Sequence, residues 1–317
     1  IAGVAGYMSL GRNNYFYYDR NMVANPYFTL GNEGGRGVYV PLSAVNPANG
    51  TMNWKDGRIN KNFGRVLELV SDGKVNQFSF VVDTSYRYWK DGEITASYTW
   101  SDIKDNTSYN GNVANTATLS TLVQSDPRDV RMSYSDNQFR NKVVVYGNSP
   151  TIAGFTLGIR YSGLGGTRFS VTSGGNVNGD FVDTNDLAYI FPSLTQTLID
   201  NPEVGDALKN YITDYNNQIA ERNGGKNGFF GVWDFRIAKK IKFEKIGGFE
   251  LSVDIFNVAN MLNKEWGVNK SYGNTALYRI TGFDPITKQF KYNLNTSGLE
   301  PLSGNPYQIQ LGAKYTF

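Results

Sequence analysis

The chain has 317 residues and is almost neutral, with 31 Lys and Arg against 28 Asp and Glu. It contains no His and no Cys, which excludes Ser-His-Asp and Cys-His nucleophiles, disulfides and nearly all zinc sites, so we expect no enzymatic activity. The net charge of +3 argues against a nucleic-acid partner, and no apolar run reaches the roughly 18 residues that a spanning helix needs.

Alternation of apolar and polar residues predicts eight extended strands. The first, Gly6–Tyr18, is aromatic but irregular. Period-two alternation or a short apolar run then marks Gln77–Lys90, Ile94–Trp100, Lys142–Tyr146, Phe155–Ser162, Trp233–Phe243, Phe249–Ile255 and Tyr307–Phe317. The last segment alternates without a break over about 11 residues, which is the length of a tilted strand that crosses a bilayer.

The connections between these strands alternate between tight and long. Tight turns are predicted near residues 90–93, 147–152 and 244–248, and long connections at about 19–65, 103–138, 164–228 and 259–305. Outer-membrane barrels have this pattern because their periplasmic turns are short and their extracellular loops are long. The sequence therefore predicts an all-β fold, a transmembrane antiparallel barrel whose long loops carry little helix. A soluble β-sandwich or propeller is the alternative that composition alone favours.

Local signals predict three features of the connections. Asp91-Gly92 is expected to turn through positive φ. Helical spacing within Asn201–Arg222 predicts one small helix, capped by Asp200 or Asn201 before Pro202. Leu277–Ile280 and Gln289–Tyr292 are expected to form a hairpin.

Charged residues of the strands share one predicted face. Because a charge facing lipid near the bilayer centre costs about 2–4 kcal/mol, this face should line the lumen, where the charges pair across strands, contact a plug or steer a ligand. Lys239 falls on the opposite face and should lie near an interface or mark a bulge. The predicted lumen-facing charges are Asp83, Arg87, Arg160, Asp234, Arg236, Lys240, Lys242, Glu250 and Asp254.

The 164–228 connection contains a cluster of oxygen-bearing side chains, at Asn176, Asn178, Asp180, Asp183 and Asp186. Ca²⁺ takes six to eight oxygen ligands in flexible geometry, so these residues form a candidate Ca²⁺ site that would tie the loop together. The segment is similar to a shortened EF-hand or dockerin-type loop, but it lacks the bidentate terminal Glu. The alternative is a polar turn built by Asn, Asp and Gly.

Aromatic residues are frequent in the long connections, where they could stack on sugars or peptides or pack within the loops. Packing is the expectation for most of them. The set is Tyr27, Phe28, Tyr39, Trp54, Tyr109, Tyr189, Phe191, Trp266 and Tyr272.

Several segments resemble a known family when they are taken in order. They are Val66–Lys74, Ile94–Trp100, Asp105–Asn115, Ser135–Arg140, Asp254–Asn260 and Gly304–Gln308. They are similar to the C-terminal barrel part of Oar-like TonB-dependent receptors of Bacteroidetes, which are related to SusC-type transporters. The resemblance covers nearly the whole chain. It implies a barrel of about 22 strands that encloses an N-terminal plug and is coupled to the TonB system.

This resemblance implies a place in the bacterial outer membrane and a role in energy-coupled uptake. Residues 1–317 would form the last third of the barrel, with the plug and the coupling motif absent from this chain. The expected partners are membrane lipid, the plug and remaining strands of the same protein or of a partner chain, the TonB system, and the barrel-assembly machinery. Tyr315 and Phe317 resemble the C-terminal signal that this machinery reads. The alternative is a structural or accessory barrel protein that does not transport.

Overall fold

A computed structural model describes residues 1–108, 113–243, 247–296, 304 and 306–316. The fold is all-β, with a main antiparallel sheet that we call the wall. Eight long strands succeed one another across the wall, and Ser133–Tyr134 pairs at the end of the third. These wall strands are β1 (Ala2–Asp19), β2 (Leu67–Tyr88), β3 (Gly92–Asp105), β4 (Asn141–Asn148), β5 (Phe155–Gly165), β6 (Phe229–Phe243), β7 (Gly247–Phe256) and β8 (Gln308–Thr316).

Each strand hydrogen-bonds to its neighbours in sequence, so the wall is an up-and-down meander with β1 and β8 at its edges. The eight predicted strands are confirmed, but several are longer than predicted. β2 begins ten residues before Gln77 because Leu67–Val75 pairs with the end of β1. Ser71-Asp-Gly-Lys74 lies within this extension, where Gly73 pairs with Asn14 of β1. The irregularity of β1 corresponds to register shifts between Gly11 and Phe16.

Two of the three predicted tight turns lie wholly within the described residues, close to their predicted positions. The turn between β2 and β3 has positive φ at Trp89 (27°) and Lys90 (62°), and not at Asp91-Gly92. Pairing of Tyr88 with Gly92 makes Gly92 a strand residue, so the left-handed conformations fall two positions earlier. Residues 149–154 join β4 to β5. The predicted turn at 244–248 lies partly outside the described residues, because β6 ends at Phe243 and β7 begins at Gly247.

The four long connections pack together into a second structure, which we call the loop layer. Its helices are α1 (Ala114–Ser120), α2 (Pro192–Asp200), α3 (Asp206–Asp214) and α4 (Val258–Leu262), with 3₁₀ turns at Gly31–Glu33, Leu42–Ala44 and Trp54–Gly57. Its strands are Phe28–Leu30, Arg36–Val38, Arg168–Phe169, Val171–Gly174, Gly225–Lys226, Thr275–Asp284 and Gln289–Leu294. The hairpin predicted around 277–292 is confirmed, and Val171–Gly174 adds to it in parallel.

The hydrophobic core of the described chain lies in the loop layer and not in the wall. One cluster joins the third and fourth connections around Phe169, Leu208, Tyr211 and Tyr278. A second cluster joins the first connection to the third and fourth connections, through residues such as Val38. The predicted helix within 201–222 exists as α3, but it begins at Asp206 after Gly205. The expected cap was wrong because Asp200 instead ends α2, a helix that sequence reasoning missed.

Candidate functional site

The wall has two chemically different faces. Register places all nine predicted lumen-facing charges on one face, which we call the polar face, because paired residues on adjacent strands point the same way. The other, apolar face carries large side chains that remain exposed, among them Phe80, Tyr86, Leu157, Trp233, Phe235, Ile237, Leu251, Val253, Ile309 and Leu311. Soluble monomers rarely expose an apolar surface that continues over so many strands.

Charges on the polar face pair across strands β6 and β7. The Arg236 guanidinium contacts both carboxylate oxygens of Asp254 at 2.7 and 2.8 Å. Its other nitrogen donates to Glu250 at 3.2 Å, and Lys240 Nζ lies 3.7 Å from the same carboxylate. These four side chains form a ladder that satisfies charges in the middle of the strands. The ladder pairs charges across two adjacent strands of the polar face.

The other polar-face charges are less completely paired. Arg87 Nε lies 3.5 Å from Glu93 on β3. Asp234 accepts a hydrogen bond from the Asn257 backbone at 2.9 Å and stands opposite Arg160 in register. Asp83 faces Gly3 of β1 across the sheet.

Lys239 lies on the apolar face, as predicted, but no bulge accompanies it, because β6 keeps its register with both neighbours. Its ammonium group donates to the Ala153 carbonyl at 2.5 Å and lies 4.0 Å from the centre of the Phe155 ring. The turn after β4 therefore provides a polar partner for this ammonium group on the apolar face. The expectation that Lys239 lies near a membrane interface stays a prediction.

A fully buried ionic network holds the loop layer together. The Arg36 side chain has no exposed surface and lies between two equally buried carboxylates, at 3.1 Å from Glu33 and 3.5 Å from Asp186. It also donates to the Leu187 carbonyl at 2.6 Å, and the Tyr292 hydroxyl donates to Glu33 at 2.6 Å. The network thus joins the first, third and fourth connections. Arg36 and Glu33 carry no sequence signal that distinguishes them from surface charges.

Burial dominates the ionisation of this network. Desolvation raises the pKa of Asp186 to about 7, although the Arg36 charge acts in the opposite direction. Desolvation likewise raises the pKa of Glu33, against the same guanidinium. The single Arg36 charge cannot offset the desolvation of both buried carboxylates. Each carboxylate therefore keeps its proton to a higher pH than an exposed one would.

Aromatic rings and arginines meet where the loop layer joins the end of β1. The Trp54 and Phe181 rings contact edge to face with centroids 4.5 Å apart, and the Arg58 guanidinium lies 5.4 and 5.6 Å from them. Arg58 also pairs with Asp19, and the Arg65 guanidinium lies 5.0 Å from the Phe181 ring. A cavity of about 50 Å³ beside Arg65 and Asp19 has room for a few water molecules. We interpret this cluster as structural.

The candidate Ca²⁺ loop is folded as a series of side-chain-capped turns. Asn176, Asn178 and Asp180 each accept a hydrogen bond from a backbone N–H two or three residues later. Asp186 accepts hydrogen bonds from the Val177 and Asn178 amides, and Asp183 is exposed. The arrangement does not fit Ca²⁺ well, because these oxygens already face N–H donors or Arg36. The Ca²⁺ site stays a prediction that a direct test must decide.

The aromatic residues of the long connections divide between packing and exposure. Phe28, Tyr39, Tyr189 and Tyr272 are buried, and Phe191 packs against Tyr278 and Tyr292. Trp54 belongs to the arginine cluster. Tyr27 and Trp266 are exposed, and Tyr109 lies outside the described residues, as does Phe317 of the predicted assembly signal. Tyr315 packs on Phe249 at 4.8 Å, on the apolar face.

Among the described residues, none of the helices has the length and the apolar character that spanning a bilayer requires. The described residues also contain no group of three or more Asp or Glu side chains arranged to hold a metal ion.

No protein-family model and no curated protein sequence matches the chain. Among solved structures, it is similar to the crystal structure of the outer membrane transporter YddB from Escherichia coli. The TM-score is 0.43 and the sequence identity 12%, and the match covers 99% of this chain and 30% of that chain. The chain thus spans under a third of that transporter's length.

Proposed function

We propose that this chain forms part of the wall of a TonB-dependent, plugged-barrel receptor in the bacterial outer membrane. Its role would be to supply lumen surface and extracellular loops for the energy-coupled uptake of a ligand. The single observation that carries this proposal is the two-faced wall, with exposed large apolar side chains on one face and charges on the other. Lipid on one side and a polar lumen on the other explain both faces at once.

The arrangement of the connections supports the same proposal. Tight turns lie at one end of the wall and the loop layer at the other, as periplasmic turns and extracellular loops do. In lipid, the backbone groups at the β1 and β8 edges would need hydrogen-bond partners, which further strands of a larger barrel would supply. We expect no chemical catalysis, and the TonB system and the assembly machinery would act as partners.

Quenching of tryptophan by brominated lipid tests the orientation of the wall. Trp233 lies on the apolar face, whereas Trp54 lies in the loop layer. Two variants that each retain one of these tryptophans are reconstituted in vesicles of brominated phosphatidylcholine. Strong quenching of Trp233 with weak quenching of Trp54 is expected. Equal quenching of both, or a chain that stays in solution without detergent, would exclude the membrane wall.

A second measurement separates uptake from an accessory role. Cells that produce the protein are assayed for uptake of labelled candidate ligands, with and without a TonB deletion. Uptake that requires TonB is expected. Stable co-purification with other outer-membrane proteins, with no TonB-dependent uptake of any ligand, would favour the accessory alternative.

A further inference from the structure

Charged side chains also occur on the apolar face of the wall, at its loop-layer end. On β3, Asp102 and Lys104 continue the row of Tyr98 and Trp100, so by alternation they lie on the apolar face. Tyr134 pairs with Lys104 in register and shares that face. The apolar surface of β3 therefore gives way to charge within four residues of Trp100.

Three half-buried cations, which we call the outer basic cluster, surround the Tyr134 ring. The guanidinium carbon of Arg168 lies 3.5 Å from the ring centre, Lys104 Nζ lies 4.9 Å from it, and the guanidinium carbon of Arg140 lies 6.0 Å from it. Arg140 pairs with Asp102 at 2.9 Å, the ion pair that the described chain supplies to this cluster. The undescribed residues nearest to Lys104 along the chain, 109–112, include no Asp or Glu. The cluster thus holds more positive than negative charge, and an added anion would relieve the repulsion.

The position of the outer basic cluster identifies the kind of anion. The Arg140 guanidinium lies 5.1 Å from the Trp100 ring, and Tyr161 packs on Trp233 at 4.6 Å on the same face of β5 and β6. Tyr and Trp are enriched where a membrane surface meets water. β3, β4 and β5 are central strands of the wall, away from the edges at which further strands would join. Under the proposed function, the cluster therefore lies at the level of the outer-leaflet headgroups.

We propose that the outer basic cluster binds the phosphate group of an anionic lipid in the outer leaflet. This inference rests on the proposed function, since it takes the apolar face to be the lipid side. Arg140 and Arg168 carry planar guanidinium groups that match phosphate oxygens in pairs, and Lys104 adds a point charge. Phe78 and Phe80, on the same face of β2, are 40% and 43% exposed and would contact the acyl chains. A lipid would therefore use both surfaces, whereas free phosphate would use the cluster alone.

Lipid binding to the protein purified from outer membranes tests the proposal. Phosphatidic acid, which joins a phosphate monoester to two acyl chains, is titrated into the delipidated protein in detergent, and bound lipid is measured by native mass spectrometry. Phosphatidic acid is expected to bind much more tightly than phosphatidylcholine. Arg168→Gln should weaken its binding about tenfold or more, because a charged contact to phosphate is lost, whereas Arg168→Lys should weaken it less. Lys142→Gln, which removes a charge from the polar face of β4, is the matched control and should keep the wild-type affinity.

Several results would overturn the inference. Equal affinity of the wild type, Arg168→Gln and a second variant, Lys104→Gln, for phosphatidic acid would show that the cluster does not bind lipid phosphate. Displacement of phosphatidic acid by an equal concentration of glycerol 3-phosphate would show that the acyl chains play no part. Loss of a co-purifying protein from Arg168→Gln, with lipid binding unchanged, would assign the cluster to a protein partner. Quenching of Trp233 by brominated lipid in the same preparations shows whether the wall is folded and correctly placed, so the two proposals fail separately.

Discussion

Neutralising Asp186 should remove a pH dependence from the stability of the loop layer. Asp186 has a pKa of about 7 in the folded chain against an ordinary value of 3.8. Between these two values the folded state binds more protons than the unfolded state. Stability therefore rises as the pH falls from 7 towards 4, and this contribution is lost as the pH rises through 7. The raised pKa of Glu33 acts in the same direction.

The size of this pH effect follows from the difference in proton binding by Asp186 between the folded and unfolded states. Between pH 8 and pH 5, a shift from 3.8 to about 7 corresponds to about 3 kcal/mol of unfolding free energy. Asn at position 186 does not ionise, so the unfolding free energy of the Asp186→Asn variant should change much less between pH 8 and pH 5. Asp183→Asn, which removes an exposed carboxylate from the same loop, should keep the wild-type slope.

Urea unfolding of a variant with Trp54 as its only tryptophan measures this dependence in the detergent-bound protein. Trp54 contacts Phe181 in the third connection, so its fluorescence reports on the loop layer. The reasoning is refuted if the wild-type loop layer is equally stable, or more stable, at pH 8 than at pH 5. It is also refuted if Asp186→Asn and the wild type show the same slope.

Three further predictions concern packing, the charge ladder and the metal site. Leu208→Ala, at a position with no exposed surface, should destabilise the loop layer by about 2–5 kcal/mol in the same urea assay, whereas Leu262→Ala at an exposed position should change it little. Arg236→Gln should lower the thermal stability of the wall only slightly, by less than about 1 kcal/mol, since the Arg236 side chain is 46% exposed. A larger loss would mean that the ladder is shielded from solvent. Removing divalent ions with EDTA should leave protease resistance of residues 164–228 unchanged, and a gain on adding Ca²⁺ would instead support the metal site.

The predicted wall follows from local chemistry. Period-two alternation specifies which face of each strand is apolar, and turn residues with connection lengths specify the order of the meander. For this reason the faces on which Arg236, Asp254 and Lys239 lie can be predicted from the sequence alone. The predicted ends of the strands were less accurate, because pairing with β1 extends β2 back to Leu67. Such pairing depends on two segments that are distant in the sequence, so it cannot be predicted from either segment alone.

The loop layer required the tertiary structure. Arg36 and Glu33 look like ordinary surface charges in the sequence, and only folding of three distant connections buries them together with Asp186. The Asn and Asp residues of 176–186 predict metal ligands by composition, and only the fold shows that Asn176, Asn178 and Asp180 accept hydrogen bonds from backbone amides. The two faces of the wall can be predicted from the sequence, since alternation acts between neighbours along one strand. The packing of the long connections cannot, because their contacts, such as Arg36 with Asp186, join residues more than a hundred positions apart.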